Sequence, residues 1–401
     1  MRDQRVRSGE IRLAVRVRGE GQGQRPTVVL VHGYPDTSAM WDEVAERLAG
    51  RFRVVAYDVR GAGASSSPSD PLDYGLDALM GDLEAVLDGV GADEPVHLVG
   101  HDWGSVQGWE AVIGDRLRGR IASFTSISGP DRRHMARWAR QSVRSGPRGI
   151  VQILDQARRS VYMPVLMAPK IGEVAARLLA AGFPRLMARR EGADPRSGHP
   201  AATLPTDARN GLGLYRANLT RRRSARPADT GSTGASGRTR DVGRTGDGRG
   251  TGDAGRTGDA GRTGDAGRRG DVRGTGDGGR TSDEWGAGDA RRTGGGGRSG
   301  DVRPGGGRTD GDGWTDVPVQ LIVPVKDRYG SQSLLLSARG PVSRLYVRRA
   351  PAGHWVARSH PDLIADWIKE FAEHIDGGPE TPALARARAA GAPPGKDSGG
   401  R

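Results

Sequence analysis

Cysteine is absent from the 401 residues, which excludes disulfides and thiolate metal sites. Aromatic residues make up only 5% of the chain and hydrophobic ones 35%, against 65 glycines, so a large part of the length is unable to build a core. No apolar run reaches eighteen residues, and no membrane span is expected. The opening MRDQRVRSGEIRLAVRVRG has no apolar middle of the kind a secretory signal needs, so the expectation is a cytoplasmic chain. Acidic charge is also in deficit: the balance is +13, mostly from arginine. Such a balance can mark nucleic acid or an anionic membrane surface as a partner. The arginines are scattered, and no stretch interleaves them with aromatics as a single-strand groove requires. The composition is therefore read as solubilising, with no nucleic-acid partner.

What the chain does contain is a strand-and-helix alternation. EIRLAVRV, TVVLVHG, RVVAYDVRG, PVHLVGHD and IASFTSISGP are short β-rich segments. SAMWDEVAERLAG, LDALMGDLEAVLDGVG and SVQGWEAVIGDRL carry helical periodicity between or after them. Continuous apolar strands separated by amphipathic helices predict a mostly parallel sheet covered on both faces. This α/β core takes residues 1–130. From 131 to 220 the strands stop and helical segments replace them. The sheet pattern resumes at VPVQLIVPV and RLYVRRAP within 315–376, which closes on the helix HPDLIADWIKEFAEHI. A helical block inserted after the sixth strand is read as a lid over the carboxyl end of the sheet, where open α/β sheets bind ligands.

Residues 221–314 differ in kind. Aspartate recurs every sixth residue from Asp241 through Asp289, in units such as GRTGDA, and aliphatic side chains are nearly missing. Such a stretch buries too little apolar area to offset its ordering entropy, so a disordered low-complexity insertion is expected. A calcium-binding β-roll needs a nine-residue repeat with an aliphatic position, and neither is present. An RNA-binding arginine/glycine segment is opposed by the equal density of aspartate. Loop-closure entropy grows only logarithmically, so a host domain tolerates an insertion of this length. The tail 377–401, rich in Ala, Pro, Gly and Arg, is read as a flexible linker.

The chemistry centres on LVGHDWGS, residues 98–105. A strand runs into a tight Gly-His-Asp-Trp-Gly turn and then into a helix, which lifts the central side chain above the sheet edge. Acyl hydrolases carry serine there; this chain carries Asp102, between Gly100 and Gly104. A carboxylate is already ionised at neutral pH and needs no base to act as a nucleophile on an sp³ carbon. The ester so formed must then be hydrolysed. Asp327, in PVKDRYG, and His354, in PAGHWVARSH, each follow a strand and complete the order nucleophile, acid, histidine. Taken singly they read as an ordinary loop aspartate and a surface histidine. Together with the turn at 102, they read as an imidazole oriented by a carboxylate and able to deprotonate water. HGYP, residues 32–35, follows the second β segment, and the amides of Tyr34 and Trp103 are the expected oxyanion donors. His101 is read as a packing or hydrogen-bonding residue. His134, His199, His360 and His374 show no ligand spacing, and neither a metal nor a cofactor is expected.

HGYPDTSAMWD, YDVRGAGAS, VGHDWGS and AGHW together resemble the α/β-hydrolase superfamily, and within it the epoxide hydrolases. The resemblance covers 10–220 and 315–376. It implies a small lipophilic epoxide and water as reactants, and a pair of lid phenols that hold and protonate the epoxide oxygen. Tyr162, in SVYMPVLMAP, and Tyr215, in NGLGLYRANL, are the residues it points to; Tyr162 read alone is a core-packing aromatic. Asp58 and Arg60, in YDVRGAGAS, resemble a structural loop. More narrowly, the chain resembles the hydrolase half of a two-domain bacterial family in which a short-chain dehydrogenase/reductase follows. No strand with a glycine-rich dinucleotide turn occurs after residue 377, so no NAD(P) chemistry is carried over. Two other readings stay open. Haloalkane dehalogenases share the aspartate nucleophile, but Tyr34 stands where an asparagine would help bind halide. A catalytically decayed binding module is the third reading, and the oligomeric state is not readable.

Overall fold

The computed structural model describes residues 2–19, 25–219 and 313–391. The predicted disordered insertion lies outside the described residues except for its last two, Gly313 and Trp314. Eight strands form one sheet: β1 (Arg2–Ser8), β2 (Ile11–Arg18), β3 (Thr27–Val31), β4 (Arg53–Tyr57), β5 (Val96–His101), β6 (Ile121–Ile127), β7 (Val319–Pro324) and β8 (Leu345–Ala350). Their spatial order is β1-β2-β4-β3-β5-β6-β7-β8, with β1, β2 and β4 paired antiparallel and β3 to β8 parallel.

The patterning follows from what covers each strand. IRLAVRVR in β2 alternates buried and more exposed positions, as a strand with one wet face does. VHLVGH in β5 is buried at every position, because helices cover both faces of the parallel part. On one face Trp41, Phe52, Val356 and Ile368 pack beneath the helices Asp42–Leu48 and Pro361–Ile375. On the other, the helices Leu76–Gly89 and Trp103–Ile113 join the lid in a second core that includes Leu83, Trp109 and Phe183.

The order reverses at β3: the chain passes from β3 outward to β4, then returns across β3 to β5. Adjacent strands whose connections leave in opposite directions open a crevice at their carboxyl ends. Gly33 and Tyr34 follow one of those strands and Asp102 the other. The lid spans the helices from Arg132–Arg144 to Leu212–Leu219, between β6 and β7. It opens at Asp131, whose carboxylate accepts the amides of Arg133 and His134 and caps the first helix.

Two segments depart from the sequence reading. Arg2–Ser8 is a strand, although only Val6 in it is buried; it is the charged edge of the sheet. The tail expected to be flexible contains a helix, Pro382–Gly391, that seats Leu384 and Ala387 against Tyr346 and Phe371.

Candidate active site

Position 102 is built by backbone crowding. Asp102 has φ 53 and ψ −117, outside the regions open to most side chains, and it immediately precedes the helix Trp103–Ile113. Its amide donates to Ile127 O at 3.0 Å and its carbonyl accepts from Val106 N at 3.0 Å, which ties the turn to β6 and to the helix. Space around it is left by glycines alone. A Cβ at Gly33 would lie 2.5 Å from Asp102 Cβ, one at Gly129 2.2 Å from Asp102 O, and one at Gly104 2.2 Å from Val31 O. The side chain, 18% exposed, is thereby held out over the crevice.

Three strand-end loops converge on that carboxylate. Tyr34 N, after β3, donates to Asp102 Oδ1 at 2.9 Å. Trp103 opens the helix, so its amide belongs to the set left without intrahelical partners. His354, after β8, places Nε2 3.6 Å from Asp102 Oδ2 and Nδ1 3.0 Å from Asp327 Oδ2. The other oxygen of Asp327, after β7, accepts the amides of Tyr329 at 2.7 Å and Gly330 at 3.2 Å. Burial alone would raise the Asp327 carboxyl; the His354 charge and these hydrogen bonds hold it below the usual range. Burial likewise pushes His354 down, but the Asp327 and Asp102 carboxylates outweigh it and hold the imidazole up at about 10. With Nδ1–H turned to Asp327, Nε2 faces Asp102.

His101 sits beneath this pair. Its Nε2–H donates to the His354 carbonyl at 2.9 Å, and burial together with the His354 charge lowers it to about 4, so it is neutral at pH 7. It fixes backbone rather than exchanging protons. Asp58 accepts from Ser38 and Ala64, and Arg60 forks onto Asp82 at 2.6 and 2.7 Å, both inside the fold.

The lid brings Tyr162 and Tyr215 over the carboxylate, with ring centroids 6.3 Å apart. They line a cavity of about 360 Å³ shared with Tyr34, Asp102, Tyr329 and His354. Val165, Leu166, Ala175 and Leu179 give it an apolar wall. A smaller lobe of about 100 Å³ continues past Asp102 and the two phenols toward Met135 and Met163. Burial, and then the nearby Asp102 charge, push Tyr162 far above the ordinary phenol range; burial, Tyr162 and Asp102 do the same to Tyr215. Both rings therefore carry their protons at neutral pH. The Trp103 ring meets the Tyr215 ring edge-on at 5.2 Å.

Several residues around the site were not assigned from sequence. Tyr329 lies 4.7 Å, centroid to centroid, from the His354 ring. Asp36 accepts from His199 Nε2 and from Trp355 Nε1, each at 2.6 Å, while Arg358 Nε donates to His199 Nδ1 at 3.1 Å. This buried chain pins the residue next to His354 and joins the lid to the core. Glu191, from the lid, accepts Trp355 N at 3.1 Å. Asp36 lies within HGYPD and Trp355 within AGHW, but neither motif shows that His199 and Arg358 join them.

Residues 26–166 match the family described as alpha/beta hydrolase fold. Over 382 residues, 94% of this chain and 50% of the relative, the sequence is 30% identical to "Probable oxidoreductase EphD" of Mycobacterium tuberculosis; the chain spans about half the length of that curated relative. A stretch of 117 residues, 29% of this chain and 35% of the relative, is 38% identical to "Epoxide hydrolase A" of the same organism. Among solved structures, the epoxide hydrolase of Bacillus megaterium in complex with an inhibitor superposes with a TM-score of 0.57. At 18% identity it covers 92% of this chain and 100% of that one, a likeness of fold.

Proposed function

For an epoxide hydrolase-like chain of the α/β-hydrolase fold, we propose that the reaction is hydrolysis of a lipophilic epoxide to a vicinal diol through an ester on Asp102. One observation carries this reading. A carboxylate 3.6 Å from an imidazole and two protonated phenols, Tyr162 and Tyr215, face the same cavity of about 360 Å³.

In the first step Asp102 Oδ2 attacks a ring carbon, the C–O bond of the oxirane breaks, and a phenol proton passes to the departing oxygen. The products are an alkyl ester, a new hydroxyl and a tyrosinate. In the second step His354 Nε2 removes a proton from water, and the hydroxide adds to the ester carbonyl. The oxyanion forms on Oδ1, which receives the Tyr34 amide. Collapse breaks the Cγ–Oδ2 bond and frees the diol; of the water's two protons one ends on His354 Nε2 and the other on the diol oxygen.

Esterification also makes the imidazole a usable base. With Asp102 ionised, two carboxylates hold His354 protonated. Alkylation removes the Asp102 charge, leaves Asp327 as the orienting partner and lowers the proton affinity of Nε2, so the imidazolium proton passes to the tyrosinate and Nε2 is free when water must be activated.

The dehalogenase reading is weaker, because the Trp103 ring that would help capture halide packs edge-on against Tyr215 and Tyr34 stands where an asparagine would serve. Assaying diol from styrene oxide beside halide from a bromoalkane tests both. Diol with no halide is expected; halide release without diol would replace this proposal by dehalogenation.

A further inference from the structure

Positive charge is concentrated in the lid. Residues 131–219 hold sixteen Lys and Arg against six Asp and Glu, a balance of +10 within +13 for the whole chain. Asp131, Glu191 and Asp207 are buried, and Asp155 and Glu173 are taken up by Arg158, Arg159 and Arg216. Arg140, Arg144 and Arg148 reach solvent and form no ion pair within the described residues.

The same region exposes apolar side chains. Ten of the twelve large exposed hydrophobic residues among those described lie within 131–219. They fall at helical spacing on outward stripes. Ile150, Val151 and Leu154 mark the helix Pro147–Arg159, with Val151 65% and Leu154 62% exposed. Ile171, Val174 and Leu178 mark the helix Ile171–Leu186. Between them, Val161 and Val165 are exposed and also line the large cavity, on a segment that packs against the helix Ile171–Leu186. Exposed aliphatics thus stand at the mouth of the site itself.

Exposed aliphatic stripes of this extent mark an interaction face, and their neighbours select the partner. A second copy would oppose one strongly positive face with another. A nucleic acid would take the arginines and leave the aliphatics in water. An anionic bilayer takes both, with guanidinium groups at the phosphates and aliphatics in the acyl boundary. We propose that this face of the lid docks peripherally on an anionic phospholipid surface, turning the Val161–Val165 mouth toward the lipid. The proposal concerns docking and holds whichever bond the cavity cleaves.

The test is co-sedimentation of the full chain with phosphatidylcholine vesicles with and without a quarter of phosphatidylglycerol, compared across variants. Val151→Glu/Leu154→Glu is expected to weaken binding to the anionic vesicles at least about tenfold by removing the inserted aliphatics. Arg144→Glu/Arg148→Glu is expected to weaken it at about 0.05 M salt, with the difference from wild type closing at about 0.5 M. Both sites are exposed, and an unchanged melting temperature checks the fold. Wild type failing to bind anionic vesicles would overturn the proposal. So would binding lost only in the arginine variant, which would be simple polyanion attraction. A wild-type dimer in sedimentation that the Leu154 variant dissociates would overturn it too, the occupant then being a second copy.

Discussion

Around Asp102 the floor of the cavity is closed by backbone: Val31 O at Gly104 and the Asp102 carbonyl at Gly129 leave no room for a side chain larger than a hydrogen, and Ile127 O accepts the Asp102 amide. The roof is made differently. Tyr162 and Tyr215 are held by edge-on contacts between rings, and their helices expose the aliphatics Val165 and Leu219. The floor fixes one carboxylate through backbone; the roof brings two phenols and an entrance whose shape packing maintains. Such a division lets the lid differ widely between proteins while the strand ends stay fixed.

The comparison predicts an asymmetric response to mutation. On the floor, Asp102→Ala leaves no nucleophile, and kcat for epoxide opening should fall by about 10³-fold or more. A fall of less than tenfold would mean that water attacks directly and the floor is only a scaffold. On the roof, Tyr215→Phe and Tyr162→Phe should each cost about 10- to 100-fold, with the double variant losing more, since one phenol can cover for the other. One single variant near wild type, with the other matching the double, would mean that only one ring donates.

Smaller effects separate positioning from chemistry. Gly104→Ala places a Cβ 2.2 Å from Val31 O, so the helix must move off β3. A loss of about 2 kcal/mol in urea unfolding is expected, with activity lowered alongside. Asp36→Asn removes the charge between His199 and Trp355; a kcat loss of a few fold with KM nearly unchanged would mark it as a positioning residue.

A pH signature should accompany these. His354 titrates at about 10 in the fold against about 6.5 when unfolded, so protonation favours the folded chain. Its contribution is full below about pH 6.5 and disappears as pH rises toward 10. The melting temperature of wild type should therefore fall across that window more steeply than that of His354→Gln. Parallel slopes would show that the imidazole is not held between two carboxylates.

The floor was legible because its logic is local: each of Asp102, Asp327 and His354 ends a strand, and their chain order is itself a signature. Tyr215 was singled out through the resemblance carried by NGLGLYRANL, and its ring lies beside Tyr162 in the cavity. The Asp36–His199–Trp355–Arg358 chain was not, because its members lie 163 and 319 residues apart and share no spacing. Tyr329 was passed over for a similar reason; nothing in PVKDRYG shows that its ring meets His354. The helix Pro382–Gly391 escaped because Ala and Arg blur the periodicity, and only its docking of Leu384 and Ala387 on Tyr346 and Phe371 shows a buried face. The arginines were read as scattered; that 131–219 carries most of the excess gained meaning only once the helices showed which of them lie beside exposed aliphatics.

The most direct measurement is intact-mass analysis of His354→Gln after brief exposure to styrene oxide, followed by peptide mapping. Removing the base should stall the second step, so the variant should gain one substrate mass at Asp102 while wild type turns over to diol. No adduct in either protein across a range of epoxides, or an adduct mapped to another residue, would contradict an ester at position 102.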